Sequence, residues 1–174
     1  EFLNDKKNFD IEELRLIFAN IFNDIDIKKI EFSSKNNLSF NVNKNLKLNN
    51  FKAVSVINLN QLSLNEKHLR LKSYFPSLVK EVKFINHKIF INYDKNKFDI
   101  SGSGNILLED KSDNLSYQII KKDDNFSFDT KINLKNNSLA IDFLNYEKKE
   151  GLDSLVLING NFKKNNQLRF DLIN

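Results

Sequence analysis

The spacing of the apolar residues changes once along the chain, near residue 25. Before that point, Ile, Leu and Phe recur every three to four residues across 11–25, which predicts one amphipathic helix. Asp10 and Glu13 have the spacing of a capping box at its start. We therefore expect residues 1–24 to form an amphipathic helix that packs on the sheet. The alternative is a helix that lies on a membrane interface.

After residue 25 the apolar residues alternate with polar ones, which is the period of a half-buried strand. In the second half of the chain, the strand-like runs are 82–93, 98–108, 115–121, 126–134, 139–143, 152–159 and 168–173. Polar turn clusters separate these runs by distances that fit consecutive antiparallel hairpins and leave no room for parallel crossovers. A slip of the period between Leu59 and Leu64 indicates a bulge, and Pro76 is expected to stop a short helix.

Residues 25–174 are therefore predicted to form a single, mainly β domain. Its architecture is a long antiparallel meander of about ten strands, which forms a twisted, curved sheet or groove. One face of this sheet is apolar, because Ile, Phe, Leu and Tyr take alternate positions while Lys, Asn, Asp and Ser take the others. The candidate lining of an apolar groove is Ile89, Ile91, Tyr93, Phe98, Ile100, Ile106, Leu108, Tyr117, Ile119, Phe126, Phe128, Ile132, Leu134, Ile141 and Phe143.

The predicted sheet is too wide for its single helix to cover. A helix of about 14 residues spans roughly 21 Å, whereas an open sheet of about ten strands is roughly 50 Å wide. The sheet must therefore fold on itself or keep a groove for an apolar ligand.

The net charge of +4 does not indicate a nucleic-acid partner. Asn, Lys, Ile and Phe make up half of the chain, few of the cations are Arg, and the Lys residues are scattered. Because Arg is the residue suited to bidentate phosphate contacts, we interpret the Lys residues as solvated side chains on exposed faces and turns.

The chain offers little of the chemistry that enzymes use. It has no Cys, which excludes disulfides, thiolate metal sites and cysteine nucleophiles. His68 and His87 have no carboxylate at a metal-ligand spacing, and 110–114 departs from a calcium loop at its sixth and twelfth positions. A nucleophile elbow of the Gly-x-Ser-x-Gly type does not occur. We therefore predict a protein that is not an enzyme and that needs no metal or cofactor.

The Gly102-Ser103-Gly104 motif falls within a predicted strand. A phosphate-binding loop would need a strand-to-helix setting and a third glycine, whereas position 107 is Leu. The motif therefore indicates a strong bend or a close approach of the backbone to a neighbour.

Three segments give the chain a resemblance to a known family. They are 87–93 (HKIFINY), 98–106 (FDISGSGNI) and 141–148 (IDFLNYEK). With the meander around them, over about 25–174, they resemble the AsmA-like superfamily, the group with the AsmA, TamB and YhdP proteins of Gram-negative envelopes. The resemblance implies a strongly twisted sheet curved into a trough, in a periplasmic protein that an N-terminal helix anchors in the inner membrane. Such proteins are thought to conduct phospholipid towards the outer membrane, and the family has no catalytic residues.

The sequence therefore predicts a lipid-binding or lipid-conducting segment of an AsmA-like envelope protein, with phospholipid or another acyl-chain ligand as its partner. Since the chain starts at Glu1 and has no Met, we expect a piece of a longer protein, whose membrane anchor and neighbouring β segments lie outside it. One alternative is a structural sandwich or barrel module with a dry core. Another is a fragment of an outer-membrane barrel, which the short strands and the lack of Trp disfavour.

Overall fold

The computed structural model describes residues 2–8, 26–65, 71–76, 78, 80–95, 97–108, 110–123, 125–163 and 167–173. Their strands are β1 (Phe2–Asn8), β2 (Ile27–Val42), β3 (Leu48–Asn65), β4 (Glu81–Asp94), β5 (Lys97–Leu108), β6 (Lys111–Lys122), β7 (Asn125–Leu134), β8 (Leu139–Ile141), β9 (Tyr146–Lys148), β10 (Ser154–Lys163) and β11 (Gln167–Ile173). Single 3₁₀ turns occur at Leu71–Ser73 and Asp142–Leu144. Branched and aromatic residues at every second position favour these strands, because they pack well on a pleated, half-buried surface.

Nine of the strands form one antiparallel sheet in the order β1-β2-β3-β4-β5-β6-β7-β10-β11, and β8 and β9 form a separate hairpin. The prediction of a mainly β, antiparallel meander is therefore confirmed, and the sheet is open. The predicted strand at 139–143 is wrong in its extent, because β8 ends at Ile141 and the chain continues as a 3₁₀ turn. It also lies outside the main sheet, since β8 pairs with β9 while β7 pairs with β10.

The predicted N-terminal helix, which would begin at Asp10, lies outside the described residues. The expectation of a helical unit over 1–24 is wrong for Phe2–Asn8, which is strand β1 and pairs with β2. Pairing with the long β2 satisfies the backbone hydrogen-bonding groups on one side of this edge strand whatever its side-chain pattern. The helix expected before Pro76 is, in the described residues, a single 3₁₀ turn.

The buried core lies at one end of the sheet, on its apolar face. Its members are Phe75, Leu78, Val82, Ile106, Leu108, Leu115, Leu134 and Leu139. Two connections cover the strands: the described residues between β3 and β4, which supply Phe75 and Leu78, and the segment between β7 and β10, which contains the β8–β9 hairpin and supplies Leu139. The Ala140 amide of the second connection donates a hydrogen bond to the Tyr74 carbonyl of the first, at 2.8 Å. We call this part of the apolar face the closed end.

Two neighbouring β-bulges set which side chains of β3 and β4 reach the apolar face. Asn60 is the extra residue of β3 against β2, so the phase slip predicted between Leu59 and Leu64 is confirmed. Asn86 is the extra residue of β4 against β5 and has a φ of 54°, a left-handed conformation that Asn tolerates. Asn60 and Asn86 lie opposite each other, so the register between β3 and β4 is not shifted. The bulge in β4 reverses the side-chain alternation, and His87 therefore points towards the apolar face.

The chain exposes 12106 Å² of surface. A compact monomer of 20.4 kDa is expected to expose about 8800 Å². Among the described residues, no helix has the length and apolar character needed to cross a membrane.

Candidate functional site on the apolar face

The strand register brings most of the predicted groove residues together on one face. Cross-strand partners within that face are Tyr93 with Phe98, Ile91 with Ile100, Ile100 with Ile119, and Ile119 with Phe128. Alternation along the strands adds Ile89, Ile106, Leu108, Tyr117, Phe126, Ile132 and Leu134 to it.

Two of the predicted groove residues do not lie on this face of the sheet. Ile141 belongs to the β8–β9 hairpin and packs against the closed-end core. Phe143 is 73% exposed in the 3₁₀ turn that follows. The sequence pattern assigned both to the sheet, whereas the chain leaves the sheet after Leu134 and returns to it at Ser154.

Burial along the apolar face falls from the closed end to the opposite end. Leu108 and Leu134 at the closed end are each 1% exposed, and Tyr93 at the opposite end is 38% exposed. The side chains between Tyr93 and the closed end are mostly half-buried. We define the open half of the face as Ile89, Ile91, Tyr93, Phe98, Ile100, Ile119, Phe126 and Phe128.

Gly102 and Gly104 mark the boundary between the closed end and the open half. A Cβ atom on Gly102 would lie 2.6 Å from the Tyr117 ring, and one on Gly104 would lie 2.4 Å from the His87 ring. Neither glycine interrupts the pairing of β5 with β6. The glycines are thus needed because rings from the neighbouring strands lie across the backbone, and the predicted close approach is confirmed.

His87 is a buried, neutral residue at this boundary. Its side chain is 2% exposed, and Nε2–H donates a hydrogen bond to the Asn105 carbonyl at 3.1 Å. Burial lowers the pKa of His87 below 6.5, and the hydrogen bond to Asn105 offsets this only in part. The imidazole lies 5.7 Å from the Phe84 ring and 5.9 Å from the Tyr117 ring, centroid to centroid. Burial also raises the pKa of Tyr117, so both rings are uncharged packing elements near neutral pH.

A buried polar network holds the cover of the closed end in place. Asp113, which is 4% exposed, accepts hydrogen bonds from the amides of Lys135, Asn136 and Asn137 at 2.8, 2.9 and 3.0 Å. Lys148, which is 3% exposed, donates to the carbonyls of Lys135 and Asn137 at 2.9 and 2.6 Å. The turn that leads out of β7 is thus bound on its amide side by a carboxylate and on its carbonyl side by an ammonium.

The pKa of Asp113 is set by two opposing effects. Burial raises the pKa, and the hydrogen bonds from Asn136, Lys135 and Asn137 lower it. The hydrogen bonds prevail, so the pKa of Asp113 lies below its ordinary value of 3.8. The carboxylate is therefore charged at neutral pH, as its role as an acceptor requires.

An aromatic–lysine row, which we define as Phe51, Tyr93, Phe98, Lys121 and Phe126, crosses the sheet at the edge of the open half. The Phe51 and Tyr93 rings lie 5.7 Å apart, and the Tyr93 and Phe98 rings 6.3 Å apart. Lys121 pairs with Phe98 on one side and Phe126 on the other, and its Nζ lies 5.6 Å from the Phe126 centroid. Among the described residues, no carboxylate is paired with this ammonium. The row therefore presents aromatic rings and one cation beside an apolar strip.

The opposite face of the sheet is mainly polar, with Val54, Phe90 and Leu155 as exposed apolar exceptions, and it contains shallow depressions. One of them is lined mainly by Asn86, Lys88, Ser103, Asn105, Asn114, Ser116 and Asn133. In the described part of the chain, no three His, Cys, Asp or Glu side chains are close enough to hold a metal ion. The open half of the apolar face is a surface and not an enclosed cavity, because its side chains are only half-buried. An occupant would therefore keep one side towards solvent.

The sequence reasoning missed several residues that shape this face. Lys121 occupies the next alternate position after Leu115, Tyr117 and Ile119. This spacing alone could have placed it on the apolar face. Phe51 lies on the neighbouring hairpin, and its contact with Tyr93 depends on a long-range register. The buried roles of Asp113 and Lys148 had no signal in the sequence, because polar residues near turns are usually solvated.

The chain matches no protein-family model, no curated protein and no solved structure.

Proposed function

We propose that this chain is a non-enzymatic lipid-binding segment in which the open half of the apolar face holds an acyl chain. One observation carries the proposal. The apolar side chains of the open half are only half-buried, and they lie between the buried core of the closed end and the aromatic–lysine row. A dry structural face would be covered along its whole length. Here the two covering connections both pack at the closed end.

The size of the open half suits one acyl chain. From Lys121 to Tyr117 the strand advances four residues, or about 14 Å. The hydrocarbon of one membrane leaflet is about 15 Å deep. Each CH₂ group removed from water contributes about 0.8 kcal/mol, so contact along even part of this strip gives measurable affinity.

The aromatic–lysine row suits the polar end of the same ligand. Tyr and Lys side chains have an apolar body and a polar tip, and they favour the boundary between hydrocarbon and water. The ammonium of Lys121 would attract a phosphate, while Phe98 and Phe126 contact the first methylene groups. We therefore expect an anionic phospholipid whose head group lies at the row and whose acyl chain runs towards Tyr117.

The wider setting that we propose is an AsmA-like envelope protein. The resemblance of 87–93, 98–106 and 141–148 to that family supports it. In this setting the segment is periplasmic, the inner-membrane anchor lies outside it, and the whole protein supports phospholipid transport between the inner and outer membranes. Strands β1 and β11 are the two edges of the sheet, and edges of this kind are where neighbouring β segments of a longer chain would pair.

Native mass spectrometry of the gently purified chain tests the proposal. We expect co-purifying phospholipid, and we expect it to be lost in Ile119→Asp, which puts a charge on the apolar face. Ser116→Asp is the matched control, because Ser116 lies on the same strand, faces the polar side and is the cross-strand partner of Lys131. Protein without lipid, or equal lipid loss in the two variants, would reject lipid binding by this face.

The alternative is a structural or interaction module with a dry core, which the well-packed closed end favours. A spin-labelled acyl chain separates the two functions. Saturable binding supports the lipid-binding segment, whereas no binding together with cooperative unfolding supports the structural module.

A further inference from the structure

The hairpin formed by β2 and β3 extends beyond the rest of the sheet. These two strands pair as far as Val42 opposite Leu48, whereas β3 pairs with β4 only from Ala53 onwards. Residues 38–52, which we call the hairpin tip, therefore project past the sheet beside the aromatic–lysine row. The contact between Phe51 and Tyr93 joins the tip to that row.

The hairpin tip exposes apolar side chains that a soluble hairpin would replace with polar ones. The exposed fractions are 52% for Leu38, 50% for Phe40, 51% for Val42, 85% for Leu46 and 62% for Leu48. Single exposed apolar residues are ordinary, but a contiguous group of them marks an interaction surface.

Leu46 is held in an unfavourable backbone conformation at the end of the tip. Its φ is 57°, and the other non-glycine residues with positive φ in the described part of the chain are Asn or Asp. The Asn43 side chain fixes the turn, since its Oδ1 accepts hydrogen bonds from the Asn45 and Lys47 amides at 2.9 Å each. A large residue in the left-handed region is strained, and strain of this kind is found mostly at functional positions.

The charged residues of the hairpin beyond Glu31 are all lysines. From Phe32 to Asn65 the chain has no Asp or Glu, while Lys35, Lys44, Lys47 and Lys52 are present. Lys44 and Lys47 flank Leu46 at the tip. Lys52, at the base of the tip, is paired with Asp94 at 3.1 Å, so Lys44 and Lys47 are the lysines available beside Leu46. Apolar side chains next to two such lysines are complementary to the surface of an anionic bilayer.

We propose that the hairpin tip docks on the surface of an anionic phospholipid bilayer. Leu46 and its apolar neighbours enter the interface, and Lys44 and Lys47 contact lipid phosphates. Through Phe51, this docking places the aromatic–lysine row, and with it the open half, next to the membrane. The docking itself does not require that the apolar face hold a lipid.

Vesicle co-sedimentation of the full chain tests this proposal. We expect binding to vesicles that contain phosphatidylglycerol, weak binding to pure phosphatidylcholine vesicles, and release by salt. Leu46→Asn should weaken the binding by about tenfold, because it removes the large apolar side chain that would enter the bilayer interface. Replacing Lys44 and Lys47 by Gln should weaken it by about fivefold for each lysine. Asn is well suited to a positive φ, so Leu46→Asn should unfold at the same or a higher urea concentration.

Leu152→Asn is the matched control, since Leu152 is 59% exposed and lies in the connection that covers the closed end. This variant should bind the vesicles as the natural sequence does. The proposal would be overturned if Leu46→Asn bound the vesicles as well as the natural sequence does, or if Leu46→Asn and Leu152→Asn lost binding equally. It would also be overturned if the chain bound no vesicles and instead self-associated in a way that Leu46→Asn abolishes. Ile119→Asp should keep vesicle binding and lose co-purified lipid, so membrane docking and the proposed lipid function fail independently.

Discussion

The closed end and the open half of the apolar face differ in whether another part of the chain covers them. At the closed end, connections from elsewhere in the chain cover the strands, and buried polar groups hold that cover in place. In the open half, the same alternation of Ile and Phe continues, but the side chains stay half-buried and end at a row of rings with a lysine. An apolar face is therefore a core only where another part of the chain packs against it.

The largest effect that separates the two ends is expected from Asp113→Ala. This change leaves three backbone amides of the covering turn without their acceptor, and each unsatisfied buried group costs about 1–3 kcal/mol. The free energy of unfolding, measured with urea, should fall by about 3–5 kcal/mol. Asp99→Ala is the control, because Asp99 lies on the polar face, pairs with Lys97, and should cost less than about 1 kcal/mol. Similar losses in both variants would contradict the role of Asp113 in the cover.

A smaller difference in the free energy of unfolding is expected when the same Ile→Ala substitution is made at the two ends. Ile106 at the closed end is 7% exposed, whereas Ile119 in the open half is half-buried. Ile106→Ala should lower the free energy of unfolding by about 2–4 kcal/mol. Ile119→Ala should lower it by about 1 kcal/mol, because it removes fewer contacts from a surface that is already in part solvated. If the two losses were equal, the open half would be as well packed as the closed end.

The smallest effect is a dependence of stability on pH at the boundary between the ends. Because burial holds the pKa of His87 below 6.5, the unfolded chain binds more protons than the folded chain once the pH falls below 6.5. The free energy of unfolding should therefore be highest above pH 6.5 and decrease below it. Thermal unfolding between pH 7.5 and 5 should reveal this decrease, and His87→Gln should reduce it. His68 is present in both proteins, so an unchanged pH dependence in the variant would assign the effect elsewhere.

A second loss of stability is expected at lower pH. The pKa of Asp113 is below 3.8 in the folded chain, so its contribution is complete above that value and is lost as the pH falls through the lowered pKa. Asp113→Ala should not show this loss.

The sequence alone predicted the antiparallel meander because its signal is local. A period of two, with polar clusters between the runs, specifies strands and hairpins without knowledge of distant contacts. The bulge near Leu59 and the close approach at Gly102 and Gly104 were predicted for the same reason, since each leaves a mark within a few residues.

The cover of the apolar face was not predicted, because it depends on distant parts of the chain. Residues 139–143 have the alternation of a sheet strand, yet they form a hairpin and a turn outside the main sheet. Nothing near Asp113 in the sequence specifies that it will bind the turn at 135–137, some 22 residues later. The candidate site was therefore predicted as a list of face residues, but its division into a closed end and an open half was not.

The most direct test of the account compares two adjacent labelled positions on β6. Since the natural chain has no cysteine, Ile119→Cys and Gln118→Cys each carry a fluorescent label at a single site, on the apolar and the polar face respectively. We predict that phospholipid with a nitroxide on its acyl chain quenches the label at position 119 in a saturable way and leaves the label at position 118 unquenched. Equal quenching at both positions, or none at position 119, would contradict the assignment of the open half as a lipid-binding surface.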